Sequence, residues 1–105
     1  MQIQINTDSN IEGREKLAAY VDGVVEHALG RFRERITRVE VHLSDENGEK
    51  SGEDDKRCVM EARLEGRQPI AVTHRAATLH EAVKDAAEKL ERSIDSTLER
   101  AQSHH

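Results

Sequence analysis

The side chains of this 105-residue chain with the chemistry to hold a metal or attack a substrate are His27, His42, His74, His80, the single Cys58, and serines such as Ser51, Ser93 and Ser96. A metal centre needs ligands that converge, and the plainest sequence sign is a pair spaced to share one helix face. No two of these histidines are so spaced on one helix. Strand alternation turns Cys58 inward and His42 outward, so no metal or other cofactor is expected, and Cys58 reads as a small buried apolar residue. Covalent catalysis needs a nucleophile beside a positioned base. The serines have none, no Gly-rich phosphate loop occurs, and the chain does not read as an enzyme. His104 and His105 have the look of a purification-tag remnant.

What remains is charge. Residues 45–55 carry Asp45, Glu46, Glu49, Glu53, Asp54 and Asp55 against Lys50 alone, without the Asp-x-Asp-x-Asp-Gly order of a calcium loop. That run accounts for the whole net charge of −5 and leaves the rest of the chain balanced. Within the balance, residues 31–38 hold four Arg and one Glu, and residues 56–75 hold five bases and two acids. Local excess of this kind, more than the sum, decides whether a polyanion can be met.

These residues must be positioned by periodic elements. In 78–100, Leu79, Ala82, Val83, Ala86, Leu90, Ile94 and Leu98 recur three or four residues apart, with Ala101 beyond, which predicts a helix with one apolar stripe. Thr78 followed by Glu81 has the spacing of a capping box. Residues 1–7 alternate Ile3 and Ile5 with Gln2, Gln4 and Asn6, a strand with one buried face, ended by Asp8, Ser9 and Asn10. Leu17, Tyr20, Val21, Val24, Val25, Ala28, Leu29 and Phe32 predict a helix over 12–33. Gly23 and Gly30 each weaken it by about 1 kcal/mol relative to Ala, so its end frays near 30–33. A second strand over 36–44 is expected to turn Thr37, Val39, Val41 and Leu43 inward and Arg38, Glu40 and His42 outward. A long flexible connection follows, marked by Asn47–Gly48 and Ser51–Gly52. The third strand, 56–66, buries Cys58, Met60, Ala62 and Leu64. After a short turn the fourth, 69–75, puts Ile70 and Val72 inward and starts at Pro69 or lies at an edge, because Pro cannot donate a ladder bond.

The order β-α-β-β-β-α predicts one α/β (α+β sandwich) domain over 1–105. Strands 1 and 2 are parallel through a right-handed helical crossover, strands 2 to 4 form an antiparallel meander, and both helices lie on one face of a four-stranded mixed sheet. Gln2, Gln4, Arg38, His42, Arg57, Arg63, Thr73 and Arg75 then occupy the polar face. Apolar residues make up 35% and aromatics 2%, only Tyr20 and Phe32, so the core is aliphatic. No run approaches the roughly 20 apolar residues of a membrane span, and no leader is apparent. A lone cysteine fits a reducing, cytoplasmic setting.

This order, with its residues, resembles the short ribosome hibernation-promoting factor and ribosome-associated inhibitor family, also called sigma-54 modulation protein-like. The resemblance lies in Glu15-x-Leu17-x-x-Tyr20-Val21, in Ala28–Leu29–Gly30–Arg31–Phe32 followed by Ile36-x-x-Val39-x-Val41-x-Leu43, and in Ala82–Val83 with Lys89–Leu90–Glu91–Arg92–Ser93–Ile94. It covers nearly the whole chain. It implies a stress-related, non-enzymatic translation regulator that binds the small ribosomal subunit between head and body, where messenger and transfer RNA would sit. Contact with rRNA would run through phosphates and 2′-hydroxyls, which basic side chains meet without reading sequence. By position the resemblance carries over Lys89 and Arg92 to a basic ridge on the second helix and Arg31 to the end of the first, with Arg63 and Arg75 on strands expected to face RNA. It also implies a monomer off the ribosome, since members that pair ribosomes by themselves carry a further C-terminal domain.

The chain departs from the family in having Asp95, Ser96, Thr97 and Glu99 where several Lys residues are usual, which implies RNA binding that is lost at lower salt. Asp85 precedes Lys89 by four residues, the favourable order for a helix-surface ion pair. Two rival readings stand beside ribosome binding: a protein-interaction module on the same fold, whose acidic loop or polar sheet face meets a basic protein, and a stress protein that binds a small molecule or metal. Whether binding would inhibit translation, protect idle ribosomes or promote their pairing is left open by the residues.

Overall fold

In the computed structural model, which describes residues 1–8, 11, 13–46 and 55–102, the alternation of Ile3 and Ile5 with polar neighbours becomes strand β1 (Gln2–Thr7), its isoleucines half-buried and its glutamines exposed. The flexible connection expected at Asn47–Gly48 and Ser51–Gly52, the rest of the acidic run over 47–54, and His104 and His105 lie outside the described residues. Asp8 closes β1. Its N–H donates to the Leu43 carbonyl at 3.2 Å, and its carboxylate accepts the Asp45 N–H at 3.1 Å.

Helix α1 (Arg14–Leu29) starts two residues later than its apolar period suggests. The cause is Gly13, whose φ of 67° is left-handed, a conformation that costs little only without a Cβ. Its carbonyl accepts the Leu17 N–H at 3.0 Å. At the other end the α-helix stops at Leu29 and tightens into one 3₁₀ turn, Gly30–Phe32, where the glycine weakens the helix.

Strands β2 (Ile36–Asp45), β3 (Lys56–Leu64) and β4 (Ile70–Ala76) and helix α2 (Leu79–Gln102) complete the order β-α-β-β-β-α. The sheet runs β1-β2-β3-β4, with β1 parallel to β2 and the other pairs antiparallel. Ile3 sits beside Val39, Val41 opposite Met60 and Met60 opposite Val72, so the apolar faces of all four strands coincide. Gly66, at φ 72°, makes the β3–β4 turn. Pro69 stands just before β4, itself an edge strand, where its missing N–H costs nothing.

One side-chain direction on β2 differs from the alternation. Ile36 pairs with Leu64 and Arg38 with Arg63, so Thr37 is an extra residue on β2, a β-bulge. The bulge turns Ile36 into the core and Thr37 out to solvent, where its hydroxyl donates to the Arg63 carbonyl at 3.1 Å. Beyond it the expected alternation holds: Val39, Val41 and Leu43 are buried.

Both helices lie over the apolar sheet face. Leu17, Val21, Val25 and Leu29 of α1 and Ala82, Val83, Ala86, Leu90 and Ile94 of α2 meet Val39, Val41, Cys58, Met60 and Ala62 in one core. Cys58 has no exposed surface, and burial pushes its thiol up to about 12. It is therefore expected to resist alkylation in the native protein at pH 8 and to react at once in denaturant, which a mass shift after iodoacetamide treatment would report.

α2 begins as its sequence indicates, with the Thr78 hydroxyl oxygen accepting the Glu81 N–H at 3.1 Å. Thr78→Ala should cost about 0.5–2 kcal/mol. A melting temperature within a degree of the native protein would show that the cap contributes nothing. No helix among the described residues is long and apolar enough to cross a membrane.

Candidate nucleic-acid interface

The helices cover one sheet face, and the other is exposed and polar. Its layout follows from register, since directly opposed residues of antiparallel strands point to the same side. At one end Arg38 of β2 lies opposite Arg63 of β3, with Gln2 of β1 beside Arg38. Two residues further along, Gln4, Glu40, Glu61 and Ala71 form the next row. Asn6, His42, Val59 and Thr73 follow, and then Ser44, Arg57 and Arg75. The face thus carries two directly opposed arginine pairs, Arg38–Arg63 and Arg57–Arg75. Six steps along β3 lead from Arg63 to Arg57, or ~20 Å at the rise of a strand.

Opposed like charges weaken a sheet, and acids offset part of that here. Glu40 Oε2 lies 3.1 Å from Arg38 Nη2 and 3.3 Å from Arg63 Nε, and Glu61 Oε1 is also 3.3 Å from Arg63 Nε. At the far pair, Arg75 Nη1 lies 2.8 Å from Glu46 Oε1. Among the described residues Arg57 has no carboxylate partner, and the Nε atoms of Arg38 and Arg57 are buried without a protein acceptor.

The five sequence-selected bases are not gathered at one point. Arg63 and Arg75 lie on the polar face in different pairs. Arg31 is held at the end of α1, 3.6 Å from Glu91 and 3.5 Å from Asp95 of α2, its guanidinium 4.2 Å from the centre of the Phe32 ring. Lys89 reaches the β4 edge and donates to the Thr73 carbonyl at 3.0 Å. The ion pair expected between Asp85 and Lys89 does not form. Asp85 turns to His74 of β4, Nε2 to Oδ2 3.2 Å, because α2 packs that side against the edge strand, whose carbonyls and imidazole offer nearer partners. Arg92 is exposed on α2 and has no partner among the described residues. Sequence reasoning placed Arg38 and Arg57 on the polar face without selecting them as candidate RNA contacts. Their outward direction is visible in the alternation, but that Arg38 meets Arg63 depends on the β2–β3 register, and that Arg57 meets Arg75 on the β3–β4 register.

The histidines are dispersed. His42 is on the polar face 4.0 Å from Glu40, His74 is at the β4–α2 seam, and His80 packs on the Tyr20 ring with centroids 4.2 Å apart. Lys56 donates to Asp55 at 3.0 Å and Asp45 at 3.2 Å where the acidic run leaves the sheet. The Asp55 bond holds its ammonium above the usual lysine range, against a smaller opposing effect of desolvation.

Fold and face together define a class, a two-layer α+β domain whose second sheet face is left uncovered by the helices and carries paired arginines and glutamates. The chain belongs to the family described as Sigma 54 modulation protein / S30EA ribosomal protein, whose family profile matches residues 3–102. Among solved structures it is similar to the Thermus thermophilus Protein Y N-terminal domain, with a TM-score of 0.74 and 21% identity over 92% of this chain and 99% of that one. It is also similar to a ribosomal subunit interface protein from Coxiella burnetii, with a TM-score of 0.69 and 16% identity over 92% of this chain and 97% of that one. These two likenesses are of fold. No curated protein matches the chain by sequence.

Proposed function

We propose that this protein is a ribosome-associated hibernation factor that binds the small subunit through rRNA phosphates. The observation that carries the reading is the pair of opposed arginine couples on one uncovered sheet face, Arg38 with Arg63 and Arg57 with Arg75. A fold under no functional demand gains nothing from placing like charges opposite each other twice, whereas guanidinium groups spaced along a flat surface suit an irregular RNA backbone. Family membership supports the same reading, and the Coxiella burnetii protein of similar fold is described as a ribosomal subunit interface protein. Arg92, exposed on α2, and Lys89, at the β4 edge, would extend the contact around that edge; Arg31, engaged by Glu91 and Asp95, would contribute least.

Because acids lie among the bases, binding is weak and sensitive to salt. Sedimentation of the protein with purified small subunits through sucrose tests the reading. Co-migration at low salt that disappears as salt rises is the expected result. A protein that stays at the top of the gradient at every salt concentration would refute ribosome binding and leave a protein-interaction module as the function to pursue.

A further inference from the structure

The Arg38–Arg63 pair and the acids beside it form a four-residue checkerboard. Arg38 faces Arg63 across the β2–β3 ladder, and Glu40 faces Glu61 two residues along. The four charges cancel, yet the acids are not equivalent. Glu40 reaches both arginines through one oxygen, at 3.1 Å and 3.3 Å, and its side chain is only 18% exposed against 33% for Arg38 and 48% for Arg63. Glu61 reaches Arg63 alone and is more exposed, at 29%. Among the described residues Glu40 is thus the single anion bridging two guanidiniums that would otherwise repel. A phosphate oxygen would offer those guanidiniums the same partner chemistry as a carboxylate oxygen.

We propose that Glu40 is a built-in counter-anion, a positioning residue that holds Arg38 and Arg63 together as a phosphate site and must yield its contacts when nucleic-acid phosphate binds there. This rests on the rRNA reading above and names how that surface is regulated. With Glu40 in place a lone phosphate gains little, since it exchanges one ion pair for another. A polyanion that engages the Arg57–Arg75 pair ~20 Å away at the same time also releases its own condensed counterions, and so it can drive the exchange. Glu40 therefore sets selectivity for extended phosphate backbones over free anions.

The test compares the native protein with Glu40→Gln, which keeps the shape and removes the charge, and with Glu15→Gln on exposed α1, which changes net charge equally in the opposite layer. Affinity for purified small subunits and for inorganic phosphate is measured across a salt series, beside thermal melts. Glu40→Gln removes two half-buried contacts, together worth about 1 kcal/mol after solvent screening, so it should bind small subunits about fivefold tighter. Its plot of log K against log salt should be steeper by up to about one phosphate contact, ~0.7–0.9. Glu15→Gln should match the native protein, and phosphate alone should gain on Glu40→Gln more than on either. Equal or weaker binding by Glu40→Gln, or an equal gain by Glu15→Gln, overturns the proposal while leaving ribosome binding intact. If no version binds small subunits at low salt, the rRNA reading fails and this inference fails with it. Should Glu40→Gln melt far below the native protein, Glu61→Gln takes its place. A smaller gain in the same direction is then expected, and no gain at native stability overturns the proposal.

Discussion

Leu90→Ala is expected to lower the unfolding free energy by about 2–5 kcal/mol, toward the upper end of that range, and so the melting temperature by ~10 °C or more. Leu90 is fully buried on the α2 stripe, between Ala86 and Ala87 before it and Ile94 after it. The cost of such a truncation depends on how far the surroundings can collapse into the space left. The core it joins is built of Val, Leu, Ile and Ala with Met60 and Cys58, and Phe32 is the only buried aromatic among the described residues. Val and Ile have restricted rotamers and Ala has none to change, so they cannot swing into a cavity. α2 also contributes more buried residues than α1, and losing its central contact loosens the element that closes β3 and β4. A differential scanning measurement decides the matter. A drop of less than about 3 °C, under 1 kcal/mol for a domain of this size, would mean the core is far more adaptable than its composition implies.

The same composition explains why the architecture is legible in the sequence. With so few aromatics, burial must be distributed over many small apolar side chains, and each element then shows its period undiluted: Ile3 and Ile5 on β1, Cys58, Met60, Ala62 and Leu64 on β3, the three- and four-residue steps of α2. Thr78 with Glu81 located the start of α2 because a cap is a local interaction. Thr37 failed because a bulge is a property of two strands together, and nothing within 36–44 shows that β3 has one residue fewer to match.

The candidate site was less legible for the same reason. The outward direction of Arg63 and Arg75 is local, but their opposition to Arg38 and Arg57 is a fact of register. So is the bridge from Glu40 to two arginines on different strands. Asp85 and Lys89 show the limit most directly. Helix spacing alone makes them partners, yet a neighbouring strand supplies His74 and the Thr73 carbonyl, and tertiary contacts prevail over a pair worth a few tenths of a kcal/mol.

The largest functional effect is expected from reversing the far arginine pair. Arg57→Glu with Arg75→Glu should abolish co-sedimentation with small subunits at low salt, a loss of about a hundredfold or more. Each reversal removes one phosphate contact and adds a repulsive charge, and the two charges act on the same stretch of backbone. Glu46 sharpens the expectation, because it already faces Arg75 and would join two new carboxylates in an anionic corner. Arg57 is half-buried, so Arg57→Gln with Arg75→Gln serves as the milder form; it should fold normally and flatten the salt dependence by about 1.4–1.8 in slope, two contacts' worth. Lys89→Glu with Arg92→Glu probes the helix side of the β4 edge separately. If both sheet-face variants co-sediment like the native protein while the helix variant does not, RNA meets α2 and not the bare sheet, and the opposed arginines serve the sheet's own ion pairs. If only the sheet-face variants lose binding, the uncovered face is the interface, and the acids lying among its arginines set the salt concentration at which it lets go.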